Sequence, residues 1–378
     1  MKRRVFGGAG ISSGAKSAVL AAAVSVAAIG YVNAADMPLK APPPPPAPPF
    51  FIVNDTSVSF TYYSNSTDPG VAGSSAITPG GIAGQSNSFA RYQGSLDHFD
   101  VWHYGTNLIH AEFDQYGIQD PNEGIPGSAG SREFFGFAQS TLGWNELTNS
   151  KMFSNPITKD ISFMFRVTGG VQTNFLSEET TQYAPGLMFD LNLPGVVEVG
   201  VAAYKEFTHN SFDACGPAGA FSGVSYVGFN GACTGGGAFS GDRDFEWTWK
   251  VFTFISEPLT FLPPSLPITW INILNITGPK GTGLSTANCA AIGCAGTTGV
   301  GDPFGINETK VEVFEDTRLS LDASKVFWGK PGIWDLYGGY RYWYNKFGTN
   351  HSDWLFSTVA PGTSIESTAY VGTTYHFK

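Results

Sequence analysis

The chain is poor in charged side chains and almost free of long hydrophobic runs. Charged residues make up 14% of its 378 residues, against roughly 25% in a typical globular domain. Beyond the first 34 residues, no stretch approaches the ~20 apolar residues that a membrane-spanning helix needs. A membrane protein built from this sequence must therefore be a β-barrel. A secreted, lectin-like β protein is the soluble alternative that shares this composition.

Aromatic residues and glycine are plentiful instead. Aromatic residues reach 14% of the chain, and there are 47 glycines. Lipid replaces water over much of the outside of a barrel, where few charges and many aromatic residues are expected. The composition therefore favours the barrel.

The N-terminus has the features of an export signal. Lys2–Arg4 supply positive charge, Ala18–Val32 is an apolar run, and Val32–Ala34 offers a small-x-small cleavage site. We expect residues 1–34 to be a signal peptide and the mature chain to begin at Ala35. Residues 1–34 carry four positive charges and no negative ones, so the formal charge of −10 becomes −14. Such an acidic chain argues against nucleic acid as a partner.

A proline-rich segment follows the predicted signal peptide. Pro42–Pro49 is interrupted only by Ala47, and such a run forms a stiff polyproline II spacer. We interpret residues 35–50 as a periplasmic leader, with docking to another protein as the alternative. One domain then remains, covering residues 51–378.

Alternating apolar and polar residues between turn signals predict an all-β domain with twelve strands. The predicted strands are 56–65, 88–98, 103–116, 131–142, 160–171, 182–192, 196–208, 245–256, 266–277, 308–326, 333–346 and 365–377. An even number of strands is what a closed antiparallel barrel with both ends in the periplasm requires. The fold class that we predict is a transmembrane antiparallel β-barrel.

The connections between these strands alternate in length. Six are long and rich in Gly, Ser, Asn and Thr: 66–87, 117–130, 172–181, 209–244, 278–307 and 347–364. The others are mostly short, although 143–159 is long for a periplasmic turn. Outer-membrane barrels have long extracellular loops and short periplasmic turns. We therefore expect the bacterial outer membrane as the location.

All four cysteines lie in predicted extracellular loops. Cys215 and Cys233 share one loop, and Cys289 and Cys294 share another. An even number of cysteines in an exported protein predicts one disulfide within each loop. Zinc is the alternative, but these spacings do not match a paired Cys-x-x-Cys site. We predict no metal and no cofactor.

The polar faces of the predicted strands identify candidates for the solute path. An Arg or Lys at the bilayer midplane of a barrel's lipid face costs about 2–4 kcal/mol, so charged residues should face the lumen. The predicted lumen residues are His110, Glu112, Asp114, Arg166, Asp190, Glu246, Lys250, Lys310, Glu312, Arg318, Asp335 and Arg341. They could equally form a closed polar plug, in which charges of opposite sign pair across the interior.

The C-terminal strand 365–377 resembles the last strand of an outer-membrane barrel. It alternates strictly and ends in Tyr375-x-Phe377, although Lys378 follows where such proteins usually stop. Apolar residues on one face predict contact with outer-membrane lipid. We expect this strand also to be recognised by the barrel-assembly machinery.

Several segments resemble the nucleoside-specific channel-forming outer-membrane proteins, the Tsx/OmpK-like family. The similar segments are Asn54–Tyr62, Leu96–Phe99, Val101–Asn107, Gly186–Gly195 and Phe245–Lys250. The resemblance implies a monomeric twelve-stranded barrel that binds nucleosides and passes them through a narrow lumen. The cysteine-bearing loops and the proline-rich leader have no counterpart in that pattern.

The sequence leaves two alternative functions to consider. A general diffusion porin is the first, but such porins usually have sixteen strands and form trimers. An outer-membrane lipid hydrolase is the second, yet none of the six histidines accompanies a Gly-x-Ser-x-Gly elbow or a His-x-x-x-His pair. His110 beside Glu112 and Asp114 could form a base–carboxylate pair, but no serine is placed to complete it. We expect a channel for small solutes and no enzymatic activity.

Overall fold

The computed structural model describes residues 50–69, 87–120, 122, 129–174, 178–209, 242–281, 283, 309–352 and 361–377. The predicted signal peptide, the leader up to Pro49 and all four cysteines lie outside these residues, so signal cleavage and the two disulfides stay predictions. Within the described ranges, no helix is long and apolar enough to cross a membrane.

The described chain forms a closed antiparallel β-barrel, which confirms the predicted fold class. The strands are β1 (Phe51–Ser66), β2 (Phe89–Trp102), β3 (Gly105–Tyr116), β4 (Arg132–Gly143), β5 (Thr158–Gln172), β6 (Glu179–Leu191), β7 (Val196–His209), β8 (Asp242–Asp244), β9 (Thr248–Pro258), β10 (Ile268–Thr277), β11 (Glu312–Asp322), β12 (Trp334–Tyr344) and β13 (Ile365–Phe377). Each strand pairs with its sequence neighbour, except that β8 and β9 both pair with β7. Pairing of β1 with β13 joins the two ends of the sheet, so the wall is a ring of twelve strands.

Strands β8 and β9 together occupy one position in the wall and are separated by a bulge. Phe207 pairs with Asp244 and Tyr204 pairs with Thr248, so two residues of β7 face three residues, Phe245 to Trp247. One extra residue reverses the direction of every side chain beyond it. Phe245 is therefore buried at 5% exposure, whereas Trp247 is 59% exposed. The prediction of an uninterrupted strand 245–256 is wrong here, because the bulge puts Phe245 and Trp247 on opposite faces.

The predicted strand 308–326 is also too long. Strand β11 ends at Asp322, and helix α2 (Ala323–Trp328) follows it. The Asp322 carboxylate accepts a hydrogen bond from the Lys325 backbone N–H at 2.8 Å, which is the geometry of an N-cap. The long connection after β4 contains a second short helix, α1 (Trp144–Thr148). Both helices lie at the end of the barrel where the other connections are short.

Exposed apolar side chains cover the outside of the barrel. They alternate along each strand with side chains that point inward, and they include Val58, Phe60, Leu96, Phe113, Phe163, Phe165, Leu187, Val201, Leu319 and Val371. The N-terminal part of β1 lies beside the C-terminal end of β13. The first and last residues of the barrel wall therefore lie at the same end of the barrel. The short connections on that side mark it as periplasmic.

Tyrosines packed over glycines support the seam between the first and last strands. Tyr337 on β12 lies opposite Gly372 on β13, and a Cβ added at Gly372 would stand 2.4 Å from the Tyr337 ring. The Tyr337 hydroxyl then reaches Thr61 on β1, with 2.7 Å between the two oxygens. The absence of a side chain at Gly372 thus lets one tyrosine connect three strands across the seam.

We predict that Gly372→Ala destabilises the barrel by about 1–3 kcal/mol, because the new methyl group displaces Tyr337 from the seam. Gly94→Ala is the matched control, since a Cβ at Gly94 meets nothing within 4 Å. Urea unfolding from lipid vesicles measures both changes. Equal stability of the two variants would contradict this account of the seam.

Candidate functional site

The interior of the barrel carries a connected row of polar side chains on β2 and β3. His110 Nδ1 lies 2.6 Å from Asp97, and His110 Nε2 lies 3.0 Å from Glu112. Gln93 donates to the same Glu112 carboxylate at 2.9 Å. Both ring nitrogens of His110 thus lie within hydrogen-bond distance of a carboxylate. Two of the predicted lumen residues, His110 and Glu112, therefore touch directly.

Asp114, the third predicted residue of β3, belongs to an ion network nearer the extracellular end. It is 3% exposed and lies 3.8 Å from Arg91. Arg91 also lies 3.6 Å from Glu366 on β13. Lys346, in the 3-10 turn Lys346–Gly348 that follows β12, binds Glu366 at 3.0 Å. Charges on β2, β3 and β13 and beyond β12 thus neutralise one another across the interior.

Asp68 extends this network across the lumen. It follows β1, and its carboxylate lies 3.3 Å from Lys346 Nζ. Gln172 and Asn174, at the extracellular end of β5, donate to the same carboxylate at 2.7 and 3.0 Å. Because β5 and β1 are separated by three strands around the wall, Asp68 connects distant sides of the extracellular mouth. The start of the first extracellular connection therefore turns inward.

A second ion pair spans the mouth on the other side. Lys280, which follows β10, is 1% exposed and lies 2.6 Å from Glu206 on β7. Its backbone N–H donates to the Thr309 hydroxyl at 2.7 Å. This pair holds the ends of the long connection between β10 and β11 against β7.

The environment of these groups shifts the pKa values of residues in the connections. Burial lowers the pKa of Lys346, but Glu366 and Asp68 outweigh it and raise the value. Burial raises the pKa of Glu178 to about 8, and the nearby Glu206 and Asp68 add to the effect. Burial, with Asp68 close by, also holds the pKa of Asp120 well above its usual range. At neutral pH the mouth thus combines ionised pairs with carboxyl groups that hold their protons.

Arginines on β11 and β12 lie against tyrosines of the seam. Arg341 binds Asp316 at 2.8 Å and lies 4.7 Å from the centre of the Tyr63 ring. Arg318 lies 4.8 Å from the Tyr337 ring. Cation–π attraction thus holds both guanidinium groups on aromatic faces, and an ion pair adds to it at Arg341. These two predicted residues, Arg318 and Arg341, both face the interior.

Two other predicted cations lie on β5 and β9. Arg166 on β5 stands 3.5 Å from the Phe137 ring, and Lys250 on β9 stands 4.5 Å from the Tyr204 ring. Beneath them lies a buried cluster formed by Met164, Ala184, Met188, Ala202, Tyr204 and Phe252. The apolar part of the interior thus carries cations on its surface.

The periplasmic end of the interior holds further predicted residues. Asp190 on β6 faces Asp160 on β5. Asp335 on β12 lies 3.5 Å from His376, which in turn binds Asp55 at 2.8 Å. In α1 outside the strands, burial raises the pKa of Glu146 to about 7, with Asp160 contributing. Acidic side chains therefore border this end of the path.

Three predicted lumen residues lie near the extracellular rim. Glu312, the first residue of β11, accepts a hydrogen bond from the Trp343 indole at 2.8 Å. Glu246 is exposed within the bulge, and its backbone N–H donates to the Lys280 carbonyl at 2.8 Å. Lys310 is exposed just before β11. The structure does not place Glu246 and Lys310 on the regular inward faces of the strands.

Sequence reasoning missed several charged residues of the interior. They are Asp68, Arg91, Asp97, Glu206, Lys280, Asp316, Lys346 and Glu366. Those on strands could have been found by extending the inward alternation, because Arg91 and Asp97 share the parity of Gln93. Asp68, Lys280 and Lys346 lie outside the regular strands, where alternation gives no signal.

Comparisons with known proteins find only distant likenesses. No family model matches the chain, and no curated protein matches it. The translocator domain of the autotransporter NalP from Neisseria meningitidis is similar at 9% identity and a TM-score of 0.35, covering 86% of this chain and 89% of that one. The β domain of the Bordetella autotransporter BrkA is similar at 10% identity and a TM-score of 0.31, and the match covers 85% of this chain and 98% of that one. The outer-membrane protein OpdK from Pseudomonas aeruginosa is similar at 10% identity and a TM-score of 0.21, and the match covers 87% of this chain and 100% of that one.

The location follows from the geometry of the barrel itself. Apolar side chains cover the outside, and ion pairs occupy the inside. Pairing of β1 with β13 leaves no free sheet edge at the seam, as hydrocarbon requires. The protein is a barrel of the bacterial outer membrane.

We predict that Lys346→Met destabilises the barrel by about 3–5 kcal/mol, because Asp68 would lose the cation that it binds and Glu366 would keep only its longer contact with Arg91. Adding Glu366→Gln should restore part of the loss. Lys330→Met, at an exposed periplasmic position, is the control. Unfolding in urea measures all three variants, and a loss no larger than that of the control would contradict the network.

Proposed function

We propose that the protein is a passive outer-membrane channel for small polar solutes. The observation that supports this most directly is the contrast between an apolar outside and an inner wall of acidic and basic side chains that runs from Asp190 and Asp335 to Glu206 and Asp114. Ionised groups at several depths offer weak successive sites, which a solute can both enter and leave.

Nucleosides are the solutes that we propose first, on the resemblance of the sequence to the nucleoside-specific channels. A nucleoside presents an aromatic face and vicinal hydroxyl groups. Aromatic rings in the interior, such as Phe137 and Tyr204, can stack on a base, while Glu112 on β3 and Gln93 on β2 offer hydrogen-bonding groups. This pairing of rings and polar groups supports the proposal.

A channel needs no chemistry, and we propose that the protein is not an enzyme. His110 would be the natural general base, but each of its ring nitrogens is bonded to a carboxylate. Neither nitrogen is free to activate a serine, which is what a hydrolase of the Ser/His type requires.

Planar-bilayer conductance tests the function. We expect a small conductance that added adenosine reduces in a concentration-dependent way, because the nucleoside occupies the ion path. A large conductance that no nucleoside reduces would instead support the general diffusion porin. Absence of any conductance from correctly folded protein would contradict the channel.

We predict that the double variant Glu112→Gln/Asp114→Asn shifts ion selectivity toward anions, because it removes negative charge from the inner wall. The reversal potential in a KCl gradient measures the shift. Glu179→Gln/Glu257→Gln removes the same charge from the outer face and is the control. If the two double variants have the same selectivity, Glu112 and Asp114 do not line the ion path.

We predict a pH dependence from Glu178. Because its pKa is raised to about 8, the side chain is mostly neutral at pH 7 and mostly charged at pH 9. Raising the pH over this range therefore adds negative charge near the mouth and increases selectivity for cations.

Glu178→Gln should reduce that change in reversal potential, whereas Glu179→Gln at the exposed neighbouring position should not. A pH response that is identical in the two variants would assign the titration to another group.

A further inference from the structure

Arg166 and Lys250 share one aromatic ring. The Arg166 guanidinium lies 5.3 Å from the centre of the Phe252 ring, and Lys250 Nζ lies 5.5 Å from the same centre. Arg166 also stacks on Phe137, and Lys250 on Tyr204. The rings fix both cations on the inner wall. Arg166 lies on β5 and Lys250 on β9, and strands β6 and β7 separate these two strands in the wall.

Neither cation has a carboxylate partner among the described residues. Arg91, Arg341, Lys280 and Lys346 each form an ion pair within 4.0 Å, whereas Arg166 and Lys250 form none. Both are half-buried, so one side of each packs on aromatic rings and the other faces the lumen. Their charge is therefore available to a solute.

The register explains why no carboxylate reaches them. Arg166 lies between Gln139 and Ala184 on the neighbouring strands. Lys250 lies between Ala202 and Thr277. All four neighbours are uncharged, and the two alanines, on the strands between the cations, are small and buried.

Two cations with free donors and small neighbours are suited to an oxyanion. The guanidinium fork of Arg matches the geometry of a carboxylate or a phosphate, and the ammonium of Lys adds a point charge with three donors. The aromatic rings hold both side chains in place without neutralising them. An oxyanion is the group that supplies the missing acceptors.

We propose that Arg166 and Lys250 form an oxyanion subsite on the inner wall, which binds the carboxylate or phosphate group of a small organic anion. The proposal rests on the proposed channel function. It extends the accepted solutes beyond neutral nucleosides to anionic ones that dock briefly on this wall during passage.

Conductance of the full-length protein in planar bilayers tests the subsite. Sodium acetate, inorganic phosphate and adenosine are the probes, and the half-blocking concentration of each is measured for the wild type, Arg166→Gln/Lys250→Gln and Lys330→Gln. We expect the double variant to raise the half-blocking concentration of acetate, phosphate or both at least about tenfold, the effect of losing one charge-assisted contact. The half-blocking concentration of adenosine should be the same in all three proteins.

The pattern of response identifies the oxyanion. A change for acetate alone indicates carboxylate solutes, and a change for phosphate alone indicates phosphorylated solutes. Arg166→Lys keeps the charge and should restore most of the block relative to Arg166→Gln. Unchanged acetate and phosphate block in the double variant, or an equal change in Lys330→Gln, overturns the subsite.

Titration calorimetry of phosphate and acetate into folded protein in detergent separates this inference from the channel function. Anion binding that the wild type shows and the double variant lacks supports the subsite, whether or not a current is seen. The absence of a current would count against the channel function and not against the subsite. If the wild-type protein and the double variant bind the anions identically, the subsite is overturned. A current that persists in that case leaves the channel function intact. Heat-modifiable gel migration verifies that each variant is folded.

Discussion

Closure of the sheet between β1 and β13 is the constraint on which the rest of the structure depends. A barrel wall in hydrocarbon cannot leave a strand edge unpaired, because each unsatisfied backbone group costs several kcal/mol there. Ladder pairs from Thr56–Phe377 to Tyr63–Tyr370 close this edge. Tyr337 reinforces the closure from inside by packing over Gly372 and bonding to Thr61. The seam is thus held by backbone hydrogen bonds and by a tyrosine that needs a glycine beneath it.

Closure also decides how the interior is filled. Once the ring is complete, every inward side chain must find its partners among other inward side chains or water. Arg91 meets Glu366 and Lys346 meets Asp68 in this way, although the partners of each pair are far apart in the sequence. Removing one member leaves a charge without compensation, which is why the network is sensitive to single substitutions. Arg166 and Lys250 differ because aromatic rings hold them instead of carboxylates.

The bulge at Phe245–Trp247 shows where prediction from alternation stops. Alternation assigned faces along β5, β12 and β13 that agree with the observed inward and outward side chains, because those stretches contain no extra residue. At the bulge, one additional residue turns Phe245 inward while Trp247 stays outside. Apolar residues stand on both sides of the bulge, so the pattern carries no signal that distinguishes a bulge from a continuous strand. The same limit applies to Asp68, whose inward turn depends on Gln172 and Lys346.

The sequence by itself determined the number of wall strands, their order and the side of the wall on which most charges lie. These properties follow from local alternation and from turn residues, which act over a few neighbouring positions. Only the tertiary structure decided which charges meet, because a contact such as Arg91–Glu366 depends on the register of three strands and on the closure of the ring. It also decided that Arg166 and Lys250 share the Phe252 ring, since no spacing in the chain relates residues on opposite sides of β6 and β7.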